Sequence, residues 1–186
     1  MQKIYCYVDE TGLDANAELF LVAVVIAEDN RDALLELLEG IEKKSKKGKT
    51  KWIEAKHKFR EDYIRAVLEL EVLQGQLHYA EYPNAKNYLK LTIDATAKAI
   101  LAHAESDYKA TVFVDALPNA HINEFGAGLR RLQVRTKKVR GIRKDETDAF
   151  IRLADALCGF VRVAEQNNEL HNLLMVSIEK SIIIKM

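Results

Sequence analysis

Cysteine is scarce in this chain: Cys6 and Cys158 are the only two in 186 residues. They lack paired metal spacing and are too few for a disulfide framework, so they read as reduced, buried thiols of a cytoplasmic protein. Long apolar runs are also missing. The longest, Leu19 to Ala27, has nine residues, where a membrane helix needs about 20, so no membrane partner is expected. Met1-Gln2-Lys3 leads straight into a strand pattern, and no signal peptide is expected. His57, His78, His103, His121 and His171 include no pair at helical metal spacing, which argues against zinc. Internal repeats and low-complexity linkers are absent. So is an excess of one charge, since 28 Lys+Arg meet 28 Asp+Glu. The chain instead has 48% hydrophobic and 30% charged residues. That excludes disorder, collagen and coiled-coil arrays, and suits one globular domain over residues 1–186.

The neutral total hides opposed blocks. Residues 9–42 carry ten carboxylates, from Asp9 and Glu10 to Glu42, against Arg31 alone. Lys43, Lys44, Lys46, Lys47, Lys49, Lys51, Lys56 and Lys58 follow, interrupted only by Glu54. A second basic block holds Arg130, Arg131, Arg135, Lys137, Lys138, Arg140, Arg143 and Lys144. Clustered cations attract polyanions even on a neutral protein, because phosphate contacts act within a Debye length of about 10 Å.

The periodicity predicts an α/β domain with a mixed β-sheet flanked by helices. Strands are expected at 3–9, 19–27, 76–82 and 109–115, the first two forming a hairpin, with a short strand near Val139. Helices are expected at about 30–45, 59–73, 83–104, 120–132 and 146–166. Leu89, Ile93, Ile100 and Leu101 would mark the buried stripe of the third helix. The segment from Glu169 fits helix and strand equally.

Two strands end in an aspartate, Asp9 and Asp115, and ligands of open α/β sheets sit beyond such strand ends. If the strands are neighbours, the two carboxylates converge. On the last long helix, Asp148, Arg152, Asp155 and Gly159 share one stripe, opposite a core-facing stripe of Phe150, Leu153, Ala154, Leu157 and Val161. Clustered carboxylates repel one another unless a cation is bound, and oxygen-only donors favour Mg²⁺ or Mn²⁺. Two such ions about 4 Å apart can activate water and stabilise the leaving oxygen of a phosphodiester.

Tyr7-Val8-Asp9-Glu10-Thr11-Gly12 resembles the N-terminal Tyr-x-Asp-Glu-Ser-Gly signature of a prokaryotic family of unknown function, number thirty-eight hundred in the domain-of-unknown-function series. Thr11 stands where that family has Ser. Arg140 to Asp148, followed by Ile151-Arg152-Leu153-Ala154-Asp155-Ala156-Leu157-Cys158-Gly159, is similar to its C-terminal block. The resemblance implies a ribonuclease H-like fold, from which the chain departs by a helical insertion at about 30–73, where ribonuclease H itself continues the hairpin directly. It also implies metal-dependent phosphodiester hydrolysis, with Asp9, Asp115, Asp148 and Asp155 as ligands of Mg²⁺ or Mn²⁺. Glu10 follows from the motif but points the other way if the strand continues. Glu54 is similar to a middle Glu-x-Lys or Glu-x-His element of that family. The expected partner is DNA or RNA, held by Lys56, Arg135, Lys137, Lys138, Arg140, Arg143, Lys144 and Arg152. A homodimer is the protein partner considered, and a non-catalytic nucleic-acid-binding or assembly subunit is the alternative. A haloacid-dehalogenase-type phosphatase is set aside because Thr11 replaces its second aspartate. An actin-like ATPase would need a chain about twice as long.

Overall fold

A computed structural model of the chain describes residues 1–13, 18–143 and 147–186. Its centre is a six-stranded sheet. The apolar strands β1 (Gln2–Thr11) and β2 (Leu19–Ala27) form the expected antiparallel hairpin, with Asp9 opposite Ala23. Two helices, α1 (Arg31–Lys44) and α2 (His57–Leu68), then precede β3 (Leu77–Pro83), which pairs antiparallel with β2. After α3 (Tyr88–His103), strand β4 (Tyr108–Asp115) lies parallel to β1, and Val8 faces Val114 across the pair. Helix α4 (Asn119–Arg131) leads to β5 (Thr136–Ile142), parallel to β4. The chain closes with α5 (Ala149–Ala164), α6 (Asn168–Glu179) and β6 (Ile183–Lys185), giving the strand order β5-β4-β1-β2-β3-β6.

The two sheet faces carry separate cores. Alternate residues of β1 divide between them: Tyr7 packs with α1, α2, α5 and α6, whereas Cys6 and Val8 pack with α3 and α4. The strands are apolar on both faces because both are covered. Helix α5 fills the centre of its layer, and twelve of its sixteen residues are buried.

Three expectations change. The helix expected over 59–73 stops at Leu68, and a 3-10 turn at Glu71–Leu73 seats Leu73 in the core. Pro83-Asn84 ends a strand rather than starting a helix. Asn84 takes a left-handed φ of 53° with its N–H on the Glu18 carbonyl, and α3 begins at Tyr88 under the Asn87 side chain. Leu101 is 45% exposed, because Ile93, Ala97 and Ile100 already define the buried stripe of α3. The unassigned C-terminal stretch is helix and then strand. No helix is long and apolar enough to cross a membrane among the described residues.

Candidate active site

The parallel pairing of β1 and β4 brings Asp9 and Asp115 side by side at the carboxyl ends of two central strands, each only 8% exposed. Asp155 reaches them from α5. Burial pushes the Asp9 carboxyl up to about 8, reinforced by the negative charges of Asp115 and Asp155. The Glu10 backbone N–H donates to Asp9 Oδ1 at 2.8 Å and only partly offsets this. Asp155 is likewise raised by burial, against the Trp52 N–H and the charges of Lys51 and Lys47. Asp9 and Asp155, both raised by burial, and the Asp115 carboxylate beside them form an electrostatic sink for a cation.

Lys51 and Trp52, between α1 and α2, dock onto this cluster with consecutive contacts. Lys51 Nζ donates to Asp115 Oδ2 at 3.0 Å, and the Trp52 backbone N–H donates to Asp155 Oδ2 at 2.6 Å. Burial alone would lower the Lys51 pKa, but the bond to Asp115 and the attraction of Asp9 and Asp155 outweigh it, so it is raised. The Trp52 indole lies on Gly159, where a Cβ would come within 2.1 Å of its Cδ1, and Arg60 covers the ring at 5.4 Å. Gly159 is therefore required for the close approach of the Trp52 segment to α5. Gly12, the last residue of the N-terminal motif, has a φ of 93° and leaves no space for a side chain beside the Leu19 carbonyl.

Three cavities meet at the acids. One of about 560 Å³ spreads between the starts of α3 and α4, past Lys86 and His121, and is bordered by Asp9, Glu10, Lys51 and Asp115. Another, of about 330 Å³, runs under Trp52 between Arg60 and Arg162 and is bordered by Asp9, Glu10, Lys51 and Asp155. A recess of about 60 Å³ holds Lys51, Glu54, Asp115 and Asp155. The acids thus lie in a groove across the end of the sheet.

The remaining expected residues separate. Glu10 stays on β1 and turns to the α3 side, where the Thr92 hydroxyl donates to it, yet it borders both larger cavities. Glu54 borders the recess and accepts the Lys51 backbone N–H at 3.4 Å. Asp148 is not brought to the other aspartates. Its Oδ1 caps α5 by accepting the Phe150 and Ile151 N–H groups, and its Oδ2 faces Arg31 at 3.4 Å. Arg152 is 4% exposed and forms a two-pronged pair with Glu42, at 2.6 and 2.8 Å, so its guanidinium is already engaged where it borders the small recess beside Asp115 and Asp155. The stripe it shares with Asp155 faces α1 and the Trp52 segment, and only its Asp148, Asp155 and Gly159 positions are partly open.

Among the basic residues, Lys137, Lys138 and Arg140 are exposed on the edge strand β5. Arg140 lines a cleft of about 260 Å³ with Tyr7, Arg31, Phe113 and Asp148. Arg143 is exposed beyond the strand, at the acid end of the sheet. Arg135 lies at the other end, hydrogen-bonded to the Ser106 carbonyl at 2.8 Å. Lys56 is exposed at the start of α2 with its ammonium over Phe59. Lys144 lies outside the described residues. Sequence reasoning missed Lys51, and its only signal was a place in a lysine run.

Comparison with solved structures identifies the architecture. A chain of the PCNA:RNase HII complex from Archaeoglobus fulgidus superposes with a TM-score of 0.56 and 16% identity, over 91% of this chain and 78% of that one. The fold is ribonuclease H-like. Ribonuclease H2 from Pyrococcus horikoshii gives a TM-score of 0.52 at 12% identity, over 84% of this chain and 70% of that one. Bst-RNase HIII in complex with Mn²⁺ gives 0.53 at 16% identity, over 89% and 54%. No family model and no curated protein matches the sequence.

Proposed function

We propose that the chain is a divalent-metal-dependent nuclease that hydrolyses phosphodiester bonds of DNA or RNA. The observation that carries this is the buried meeting of Asp9, Asp115 and Asp155 at one end of a ribonuclease H-like sheet, in a groove lined by Lys51, Arg60 and Arg162. The N-terminal Asp-Glu-Thr-Gly motif supports membership of the family of unknown function that it resembles.

The donor set fits Mg²⁺ or Mn²⁺: every acid is a hard oxygen ligand, and a cation already sits among them in the form of the Lys51 ammonium. Among the described residues, no three His, Cys, Asp or Glu side chains converge tightly enough to enclose an ion. Asp9 and Asp155 would hold the ion, with Asp115 beside them and Glu10 at the groove edge. A divalent cation held there would supply Lewis-acid polarisation of the phosphate and activation of water. The chain's own groups orient the strand: Arg60 and Arg162 flank one cavity, while Arg140 and Arg143 lie along the β5 side. Phosphate contacts of this kind position a strand without reading its sequence.

The test is cleavage of single- and double-stranded DNA and RNA with Mg²⁺ or Mn²⁺, beside Asp9→Asn and Asp155→Asn. We expect cleavage by the wild type and its loss in both variants. Activity that survives both substitutions sinks the proposal. Salt-sensitive binding without cleavage under any condition would instead make the chain a non-catalytic nucleic-acid-binding subunit.

A further inference from the structure

Among the described residues, Ile53 is the most exposed large hydrophobic side chain, at 83%. Isolated apolar residues on a surface are ordinary, but this one is held at the mouth of the acid groove. It borders the cavity of about 330 Å³ that Asp9, Asp155, Arg60 and Arg162 also line. The turn that carries it is tight, with the Glu54 and Ala55 N–H groups both donating to the Lys51 carbonyl at 3.1 Å. The residues just before it are clamped. Lys51 is bonded to Asp115, the Trp52 N–H is bonded to Asp155, and the indole is wedged between Gly159 and Arg60. Trp52 takes the buried place over α5, and Ile53 is left standing outward on a fixed backbone. Its branched side chain is itself stiff at χ1.

The surroundings decide what fits over it. Lys49 and Lys56 are exposed on either side of the turn, and Arg60 and Arg162 line the cavity beneath it. Carboxylates are present too, Glu54 on the turn itself and Glu10 with the aspartates deeper in the groove. One apolar side chain ringed by charge is a poor match for an apolar protein surface. It matches a polyanion whose phosphates lie outside and whose apolar faces are hidden between stacked bases.

We propose that Ile53 is a wedge that enters the base stack beside the phosphate lying at the acids, so that this chain acts where a duplex opens or kinks. The proposal rests on the nuclease reading above and narrows its substrate class to strands that unstack at the cut. Apolar side chains inserted between base steps part them and bend the duplex, and the cost of unstacking is offset by the wider contact that the bend allows. Pyrimidine–purine steps, which open most easily, should be preferred.

The experiment places 2-aminopurine, whose fluorescence rises on unstacking, at successive positions of short DNA and RNA duplexes. Saturating full-length chain is added in an Asp9→Asn background, which should bind without cutting. We expect fluorescence to rise several-fold at one or two adjacent positions with Ile53 in place, to stay at baseline with Ile53→Ala, and to return with Ile53→Met. In the otherwise wild-type chain, Ile53→Ala should slow duplex cleavage about 10-fold, the scale of one or two methylene groups left in water. An unpaired bulge at the same step should restore the rate. Leu37→Ala, which removes another exposed apolar side chain on α1, should change neither reading. Duplex binding with no rise at any position, a rise undiminished in Ile53→Ala, or slower cleavage that a bulge leaves unrepaired overturns the proposal and leaves the nuclease reading standing. Binding and cleavage confined to single strands do the same. Failure of the wild type to bind or cut any strand overturns both.

Discussion

Two cation–carboxylate pairs flank the same stretch of α5 and behave as opposites. Arg152 and Glu42 are closed off together, at 4% and 2% exposure, in a two-pronged contact whose charges cancel. Lys51 and Asp115 meet at one point beside two further carboxylates, on the rim of three cavities. The first pair is sealed, with the buried Lys47 ammonium beside it, so its work is to join α1 to α5. The second is outnumbered by acid and open on one side, so it has charge left for a ligand. A polar contact points to chemistry when its neighbourhood stays unbalanced after the contact has formed.

The largest effect should come from unbalancing the sealed pair. Arg152→Met would strip the buried Glu42 carboxylate of both its hydrogen bonds and leave only the Lys47 charge nearby, and denaturant unfolding should show a loss of about 3–5 kcal/mol. Replacing both, as Arg152→Met with Glu42→Leu, should recover most of it. A single variant as stable as wild type would mean that the pair is not what holds α1 to α5.

The open cluster should respond to pH instead. Asp9 has a folded pKa near 8 against about 3.9 in an unfolded chain, so the metal-free fold holds a proton that the unfolded chain has lost. Its contribution is present below pH 4 and is lost as pH rises toward 8, by a few kcal/mol at most. Asp9→Asn should flatten that decline in stability measured in chelator, and Mn²⁺ should do the same for wild type. An unchanged slope in Asp9→Asn would break the assignment.

His78 supplies the contrary slope from outside the site. Burial and the adjacent His103, whose Nε2 lies 2.9 Å from that of His78, push its pKa down to about 4. The fold keeps it neutral while the unfolded chain takes up a proton near pH 6.5, so stability falls as pH drops from 6.5 toward 4, by up to about 3 kcal/mol. The two slopes oppose one another between pH 4 and 6.5, and His78→Gln should leave only the decline due to the raised carboxyls Asp9, Glu10 and Asp155. A profile unmoved by that substitution would assign the acid limb to other groups.

The smallest effect tests the support of the open pair. Gly159→Ala puts a methyl group where Trp52 Cδ1 would lie 2.1 Å away, so the Trp52 segment must shift. We expect about 1–3 kcal/mol of destabilisation by thermal melting and a weaker hold on Mn²⁺. Unaltered Mn²⁺ affinity would show that the segment does not position Lys51.

The distinction between the two pairs also explains what the sequence could disclose. The strands, the hairpin and the convergence of Asp9 with Asp115 were legible, because period-two patterns and strand-terminal aspartates are local signals. Arg152 was not: helical spacing puts it on a polar stripe with Asp155, but only the packing of α1, bringing Glu42 from more than a hundred residues away, shows that the stripe is buried. Asp148 shared the spacing of a ligand and became a cap, since it precedes the first turn of α5 rather than lying within it. Lys51 was hidden among like charges, and nothing local separates it from Lys49 or Lys56. The C-terminal stretch stayed ambiguous because a three-residue strand such as β6 is defined by its partner β3 rather than by its own pattern.

Asp9, Lys51, Asp115 and Asp155 come from both ends and the middle of the chain. Their mutual repulsion and attraction begin only when β1, β4 and α5 have come together, so a partly formed chain carries neither the penalty nor the capability. Under the nuclease proposal, cutting activity would then appear in a single late step of folding, and its onset could serve as a direct clock for closure of the sheet and α5 around the acids.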